Sequence, residues 1–112
     1  MEPEYTVQIY ATASGKEPFN EWLKSLRNLD AQSLIFQRLQ RIKLGHFGDC
    51  KSIQEGIWEF RIHSGAGYRI YYSRIGKRII LLLCAGDKGS QSKDIKLARR
   101  YLEDYRGRIN EK

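Results

Sequence analysis

The stretch WEFRIHSGAGYRIYY, residues 58–72, constrains the fold of this chain more than any other. Apolar and polar residues alternate on both sides of a glycine-containing loop, which is the period of a strand with one buried face, so an antiparallel hairpin is predicted. A register slip of one residue would carry the apolar set of one strand to the wrong face. The two buried faces agree only if the loop has an odd number of residues, either Ser64–Ala66 or Ser64–Tyr68. The opposite face then carries Glu59, Arg61 and His63 on one strand and Arg69 and Tyr71 on the next. Residues two apart on a strand are roughly 6.7 Å apart, so Glu59, Arg61 and His63 form a row about 13 Å long. A face needing only solubility would be served by Thr, Ser or Lys.

The flanking segments supply the rest of an α+β domain. YTVQIY (5–10) alternates Tyr5, Val7 and Ile9 against Thr6, Gln8 and Tyr10, as a half-buried strand does. Pro18 suits a first helical turn, and Phe19, Trp22, Leu23 and Leu26 share one helical face. Asp30 is placed to cap a second helix with Leu34 or Ile35, Leu39 and Ile42 as its stripe, and Gly45 is its left-handed stop. Arg38, Arg41 and Lys43 are expected on the solvated face of this α-hairpin. GHFGDCKSIQEG reads as irregular. RIILLLCA (78–85) is continuously apolar and should be the middle strand, covered on both faces. KDIKLARRYLEDYRG resumes helical spacing with Ile95, Ala98, Leu102 and Tyr105 on one face, ended by Gly107. The order β, α, α, β, β, β, α predicts one domain over residues 1–112: a small antiparallel, mixed-edge sheet with an N-terminal α-hairpin and a C-terminal helix packed on it.

Charge narrows the function classes. Residues 1–56 hold seven acidic and seven basic side chains, whereas residues 57–112 hold six and thirteen, so the whole excess of +7 sits in the half that begins with the hairpin. Clustered cations of this kind attract a phosphate backbone and gain from counterion release. No apolar run approaches the 18 or more residues of a membrane helix, and MEPEYTVQIY lacks the basic and apolar regions of a signal peptide. A cytoplasmic protein with no membrane association is expected, and Cys50 and Cys84 are read as reduced thiols, Cys84 as core filler.

Metal chemistry is poorly supported, because His46 and His63 lie in unrelated contexts and no Cys/His pair has ligand spacing. No nucleophilic triad or P-loop is present, since GSQSK lacks the Gly-Lys-Ser/Thr ending. No cofactor is called for. What remains is the cationic sheet face and, next to it, GDKGSQSK at a strand-to-helix junction, where unpaired N–H groups and the helix dipole favour an anion and Lys88, Gln91 and Lys93 add donors. Together these resemble a phosphodiester site. Metal-free RNA cleavage needs a group to take the 2′-OH proton, cations for the charge growing on the phosphorane, and a donor for the departing 5′ oxygen. Glu59 or His63 is the candidate for the first, Arg61, Arg69 and Lys88 for the others, and Tyr71 for stacking on a base.

The pieces WEFRIHSGAGYRIYY and AGDKGSQSKDI, with YTVQIY and GKEPFNEWLKSL before them, resemble the RelE/ParE superfamily of bacterial toxins and within it the HigB-like addiction-module killer proteins. The resemblance covers nearly the whole chain. It implies a ribosome-dependent mRNA endonuclease neutralised by a cognate antitoxin, often a helix-turn-helix protein encoded nearby. The arginine after the GY of the hairpin is Arg69, the basic positions of the preceding strand are Arg61 and His63, and the base after the last strand is Lys88. RelE proteins place a tyrosine in the first turn of the last helix, where this chain has Ile95, and a basic residue where it has Glu59. The same superfamily contains ParE-like proteins that poison DNA gyrase without cutting RNA, and this is the alternative function.

Overall fold

The computed structural model describes residues 4–110, arranged as a five-stranded sheet between two helical layers. Strand β1 (Thr6–Ile9) leads into α1 (Pro18–Ser25) and α2 (Leu29–Lys43), followed by β2 (Cys50–Gln54), β3 (Ile57–Ile62), β4 (Tyr68–Ile75) and β5 (Ile79–Asp87). A 3₁₀ turn (Lys88–Ser90) then opens α3 (Gln91–Asn110). The strand order is β1-β5-β4-β3-β2, with β1 parallel to β5 and every other neighbour antiparallel. The α+β architecture with a mixed edge is therefore as expected, and it is RelE-like.

Alternation along the strands builds two cores. Phe60, Ile62, Ile70, Tyr72, Ile80 and Leu82 face α1 and α2, meeting Phe19, Ile35, Leu39 and Ile42. Ile57, Tyr71, Leu81 and Leu83 face the other way, under Ala98 and Leu102 of α3. A register shift opposite Tyr71 and Tyr72 leaves Leu83 unpaired, which lets Leu83 and Cys84 both join the α3 side before Ala85 returns to the other.

Several local expectations are revised. Asn28, not Asp30, caps α2: its side-chain oxygen accepts from Ala31 N at 3.1 Å, while Asp30 sits in the first turn where the helix dipole favours a carboxylate. Gly45 does end α2, at φ 89°, with Gly45 N donating to Ile42 O and His46 N to Arg41 O, the bond pair of a Schellman cap. The segment read as irregular contains β2, an edge strand whose register breaks between Ser52 and Gln54. β5 is interior and buried on both faces, but the middle strand is β4. Gly107 does not stop α3, because Arg108 ties the last turn down through Ala11 O and, at 2.8 Å, Asp104 Oδ2. Arg38 is not on a solvated face: it donates to Arg61 O at 3.0 Å and Asp49 O at 3.2 Å and lies 4.9 Å from the Phe60 ring centroid. It joins α2 to the site-bearing strand and to the segment before β2. Cys50 and Cys84 are free thiols. No described helix is long and apolar enough to cross a membrane.

Candidate anion site at the hairpin

The hairpin register pairs Arg61 with Arg69 and Glu59 with Tyr71, which is the register of the Ser64–Ala66 loop, although the strands themselves stop at Ile62 and Tyr68. Gly65 turns the chain at φ 55°, and a Cβ there would stand 3.0 Å from Asn28 Nδ2. Asn28 also reaches Ser64 Oγ at 3.4 Å, so the cap of α2 steadies the loop.

Two guanidinium groups directly opposite each other repel unless an anion lies between them. Glu59 supplies it. Its side chain is out of solvent, Oε1 accepts from Arg61 Nε at 2.9 Å, Oε2 accepts from Gln91 Nε2 at 3.0 Å, and Arg69 Nε lies 3.8 Å from Oε2. The bond to Glu59 raises the already high Arg61 pKa, so this group is a fixed cation. Arg69 is different. It is 8% exposed, yet its Nε and Nη1 have no hydrogen-bond partner among the described residues. A buried cation with idle donors is costly and invites an anionic ligand.

Arg61, His63, Arg69 and Lys88 converge on one cavity of about 280 Å³, completed by Ile62, Gly67 and Tyr68. His63 is on the rim, largely exposed, with Nε2 3.9 Å from Asp49 Oδ2. A smaller recess of about 120 Å³ lies on the other side of Arg61 and His63, lined also by Asp49, Lys51 and Glu59. Among the described residues no group of three His, Cys, Asp or Glu side chains is placed to hold a metal ion.

Three expectations change, and Lys93 is placed outside the cavity. Tyr71 cannot stack on a base, because α3 covers it and it is 0% exposed; burial first, then the Glu59 and Asp94 charges, push its phenol well above the ordinary value, so it is no base either. Gln91 does not face a ligand but holds Glu59. Lys93 lies in a neighbouring cleft on α3. The strand-to-helix junction offers no open N–H nest, since Asp87 Oδ1 accepts from Gly89 N at 2.9 Å and Ser90 N at 3.1 Å. AGDKGSQSKD is accordingly a folding motif that carries one cavity residue. A Cβ on Gly86 would stand 1.8 Å from Asp94 Oδ2, Asp87 caps the turn, Ser90 bonds Asp94, and Lys88 is delivered to the cavity.

Two lining or neighbouring residues escaped the sequence reading. Tyr68 alternates onto the α1/α2 face, where its ring meets Trp22 at 5.8 Å, and so reads as core; at the end of a strand both faces border the cavity. Asp49 approaches His63 from a segment with no periodic signal.

The fold is thus a small α+β, RelE-like sheet with a basic cavity at the tip of its central hairpin. The model of the phage-derived Gp49-like protein family (DUF891) matches residues 21–103, and the chain belongs to that family, a RelE/HigB-like toxin family. A toxin of this kind implies an antitoxin partner. The chain is also similar to an uncharacterized protein of Haemophilus influenzae, at 45% identity over 94 residues, covering 84% of this chain and 91% of that protein.

Proposed function

We propose that the chain is the toxin of a toxin-antitoxin pair and acts as a metal-independent mRNA endonuclease on the ribosome, in the manner of HigB-like proteins. The observation that carries this reading is Arg69: a guanidinium nine-tenths buried, with two idle nitrogens, in a cavity it shares with Arg61, His63 and Lys88. In this reading Arg69 and Arg61 hold the non-bridging oxygens of the scissile phosphate and stabilise the charge that builds there. His63 takes the 2′-OH proton, the 2′ oxygen attacks phosphorus, and the bond to the 5′ oxygen breaks as Lys88 supplies a proton to it. The products are a 2′,3′-cyclic phosphate and a 5′-OH.

Glu59 is not the base in this scheme. Both its oxygens already accept hydrogen bonds, and it lies beneath the arginines rather than in the cavity. It is a positioning residue for Arg61 and Arg69. The ring in reach of a substrate base is Tyr68 rather than Tyr71. A cluster whose one base stands exposed on the rim is a modest catalyst, which fits a need for the ribosome to orient the strand. The protein works in the cytoplasm, and its antitoxin, a helix-turn-helix protein encoded nearby, silences it by covering the cavity or by blocking access to the ribosome.

The test is chemical. An mRNA with one 2′-deoxy substitution at the cut position should resist cleavage on a translating ribosome while the unsubstituted message is cut. Intact message in a purified translation assay, together with DNA breaks in cells suppressed by a resistant gyrase allele, would instead establish the gyrase-poison alternative.

A further inference from the structure

Beyond the cavity, the structure places a second run of cations on α3, and we propose that it is a track for the RNA strand flanking the scissile phosphate; this rests on the nuclease reading above. Lys93, Lys96 and Arg100 recur at i, i+3 and i+7, on one side of the helix, and all three are exposed. They line an open cleft of about 650 Å³ together with Ser92 and Leu97. The 3₁₀ turn is the wall between this cleft and the cavity: Lys88 lines the cavity, and the next two residues, Gly89 and Ser90, line the cleft. The two surfaces are therefore continuous around a single turn of chain.

The carboxylates that would neutralise this run are turned elsewhere. Asp87 caps the 3₁₀ turn, and Asp94 is buried and bonded by Ser90. Asp104 accepts from Tyr10 Oη at 2.6 Å and Arg108 Nη2 at 2.8 Å. Among the described residues no carboxylate lies within 4.0 Å of the side-chain nitrogens of Lys88, Lys93, Lys96 or Arg100. Charges left unpaired in a row, with an acidic residue, Glu103, marking the end, are arranged for an external polyanion.

The spacing suits a nucleic-acid strand. Helical rise puts Lys93 and Lys96 about 4.5 Å apart along the axis and Lys96 and Arg100 about 6 Å apart. A stacked strand offers one phosphate per about 3.4 Å and a stretched one offers them at wider intervals, so three side chains of this reach meet two or three successive phosphates. An acidic protein segment is the other polyanion to consider. Continuity with the cavity favours RNA, because a strand gripped at one phosphate must carry its neighbours past the cavity wall, and every neighbour is charged.

The experiment measures binding rather than cleavage. A fluorescent single-stranded RNA, 2′-O-methylated throughout so that it cannot be cut, is titrated with wild type, with K93A/K96A/R100A and with R27A/R41A/K43A across a salt series. The second triple variant removes the same charge from exposed positions of the α1/α2 side. All six side chains are exposed and all but Arg27, in the link between α1 and α2, lie in helices, where alanine is well tolerated, so both triple variants should fold. The track predicts that K93A/K96A/R100A weakens binding about tenfold or more at low salt and lowers the salt slope by about 2, at roughly 0.7 per lost phosphate contact, while the control stays near wild type. Equal losses in both triple variants, or no loss in either, would overturn the track. So would unchanged RNA binding with a weakened antitoxin complex, which would assign the stripe to the partner protein. A wild type that shows no salt-dependent RNA binding, or steep wild-type binding left intact in K93A/K96A/R100A, removes the track, whereas the nuclease reading falls separately, on an unsubstituted message left uncut on a translating ribosome.

Discussion

On the α1/α2 side of the sheet, Phe60, Ile62, Ile70, Tyr72, Ile80 and Leu82 pack as one apolar cluster. On the α3 side, the same strands pass from Ile57 to Glu59 and Arg61, and from Tyr71 to Arg69, within two residues. Helix α3 changes with them. It lays Ala98 and Leu102 over the apolar half of the face, and then, one to two turns nearer its start, puts Asp94 and Gln91 over the polar half. One face is a core from end to end, whereas the other is half core and half site. A helix that matched the sheet only in apolar residues would have sealed the arginines in. A helix that matched them with Gln91 fixes Glu59 and leaves the cavity open beyond it.

Substitutions test this difference between the two faces, most severely in the all-apolar one. Phe60→Ala, in the all-apolar face, should cost about 3–5 kcal/mol, because a large side chain at 0% exposure leaves a cavity behind. Chemical denaturation measures it, and a cost near zero would mean that this face does not carry the fold. Glu59→Ala should cost about 3 kcal/mol, since it strands the buried Arg69 guanidinium without a counter-ion. The double variant Glu59→Ala/Arg69→Ala should regain most of that loss. Additive effects in this cycle would show that Glu59 does not hold Arg69.

Arg69→Ala alone should change stability by about 1 kcal/mol or less, because Glu59 keeps Arg61 and Gln91 as donors. Growth inhibition should nevertheless disappear at equal expression, and Arg69→Lys should restore only part of it, since a point charge lacks the two-pronged guanidinium. A fully toxic Arg69→Ala would detach the cavity from function. The smallest effect is expected at Asp94, whose burial raises its pKa against the lowering influence of Ser90 and Lys93. The folded protein then holds this proton more tightly than the unfolded chain, so the Asp94 contribution to stability falls as pH rises from the unfolded value of 3.8 through the higher folded value. Asp94→Asn should therefore gain most over wild type above that window and lose its advantage in acid. A difference between the two proteins that does not vary with pH would assign the site another role.

The order of these effects separates what was legible in the sequence from what was not. The shared face of the hairpin was legible, because a period of two over residues 58–72 leaves odd loops only, but the choice between the two odd loops, and with it Arg61 opposite Arg69, was made by the folded turn. Gly45 was legible as a helix stop, since a left-handed residue is needed there. Strand β2 was not, because Cys50–Gln54 lacks alternation and exists as a strand only by pairing with β3. The role of Arg38 is hidden for a related reason: an arginine on the flank of a helix looks solvated until the carbonyls of Arg61 and Asp49 are brought to it.

Sequence by itself determined which side chains share a face, because that depends on local periods of two and 3.6 residues. It thus placed Glu59, Arg61, Arg69 and Tyr71 together, and the basic charge on the half of the chain that carries them. Which of those side chains meet solvent was decided only by where α3 docks. Tyr71 and Glu59 are covered, Arg69 keeps one side on the cavity, and His63 stands at the rim. The docking follows from Gly86 admitting Asp94 and from Gln91 reaching Glu59 across 32 positions of chain, contacts between residues whose local sequence contains no sign of one another.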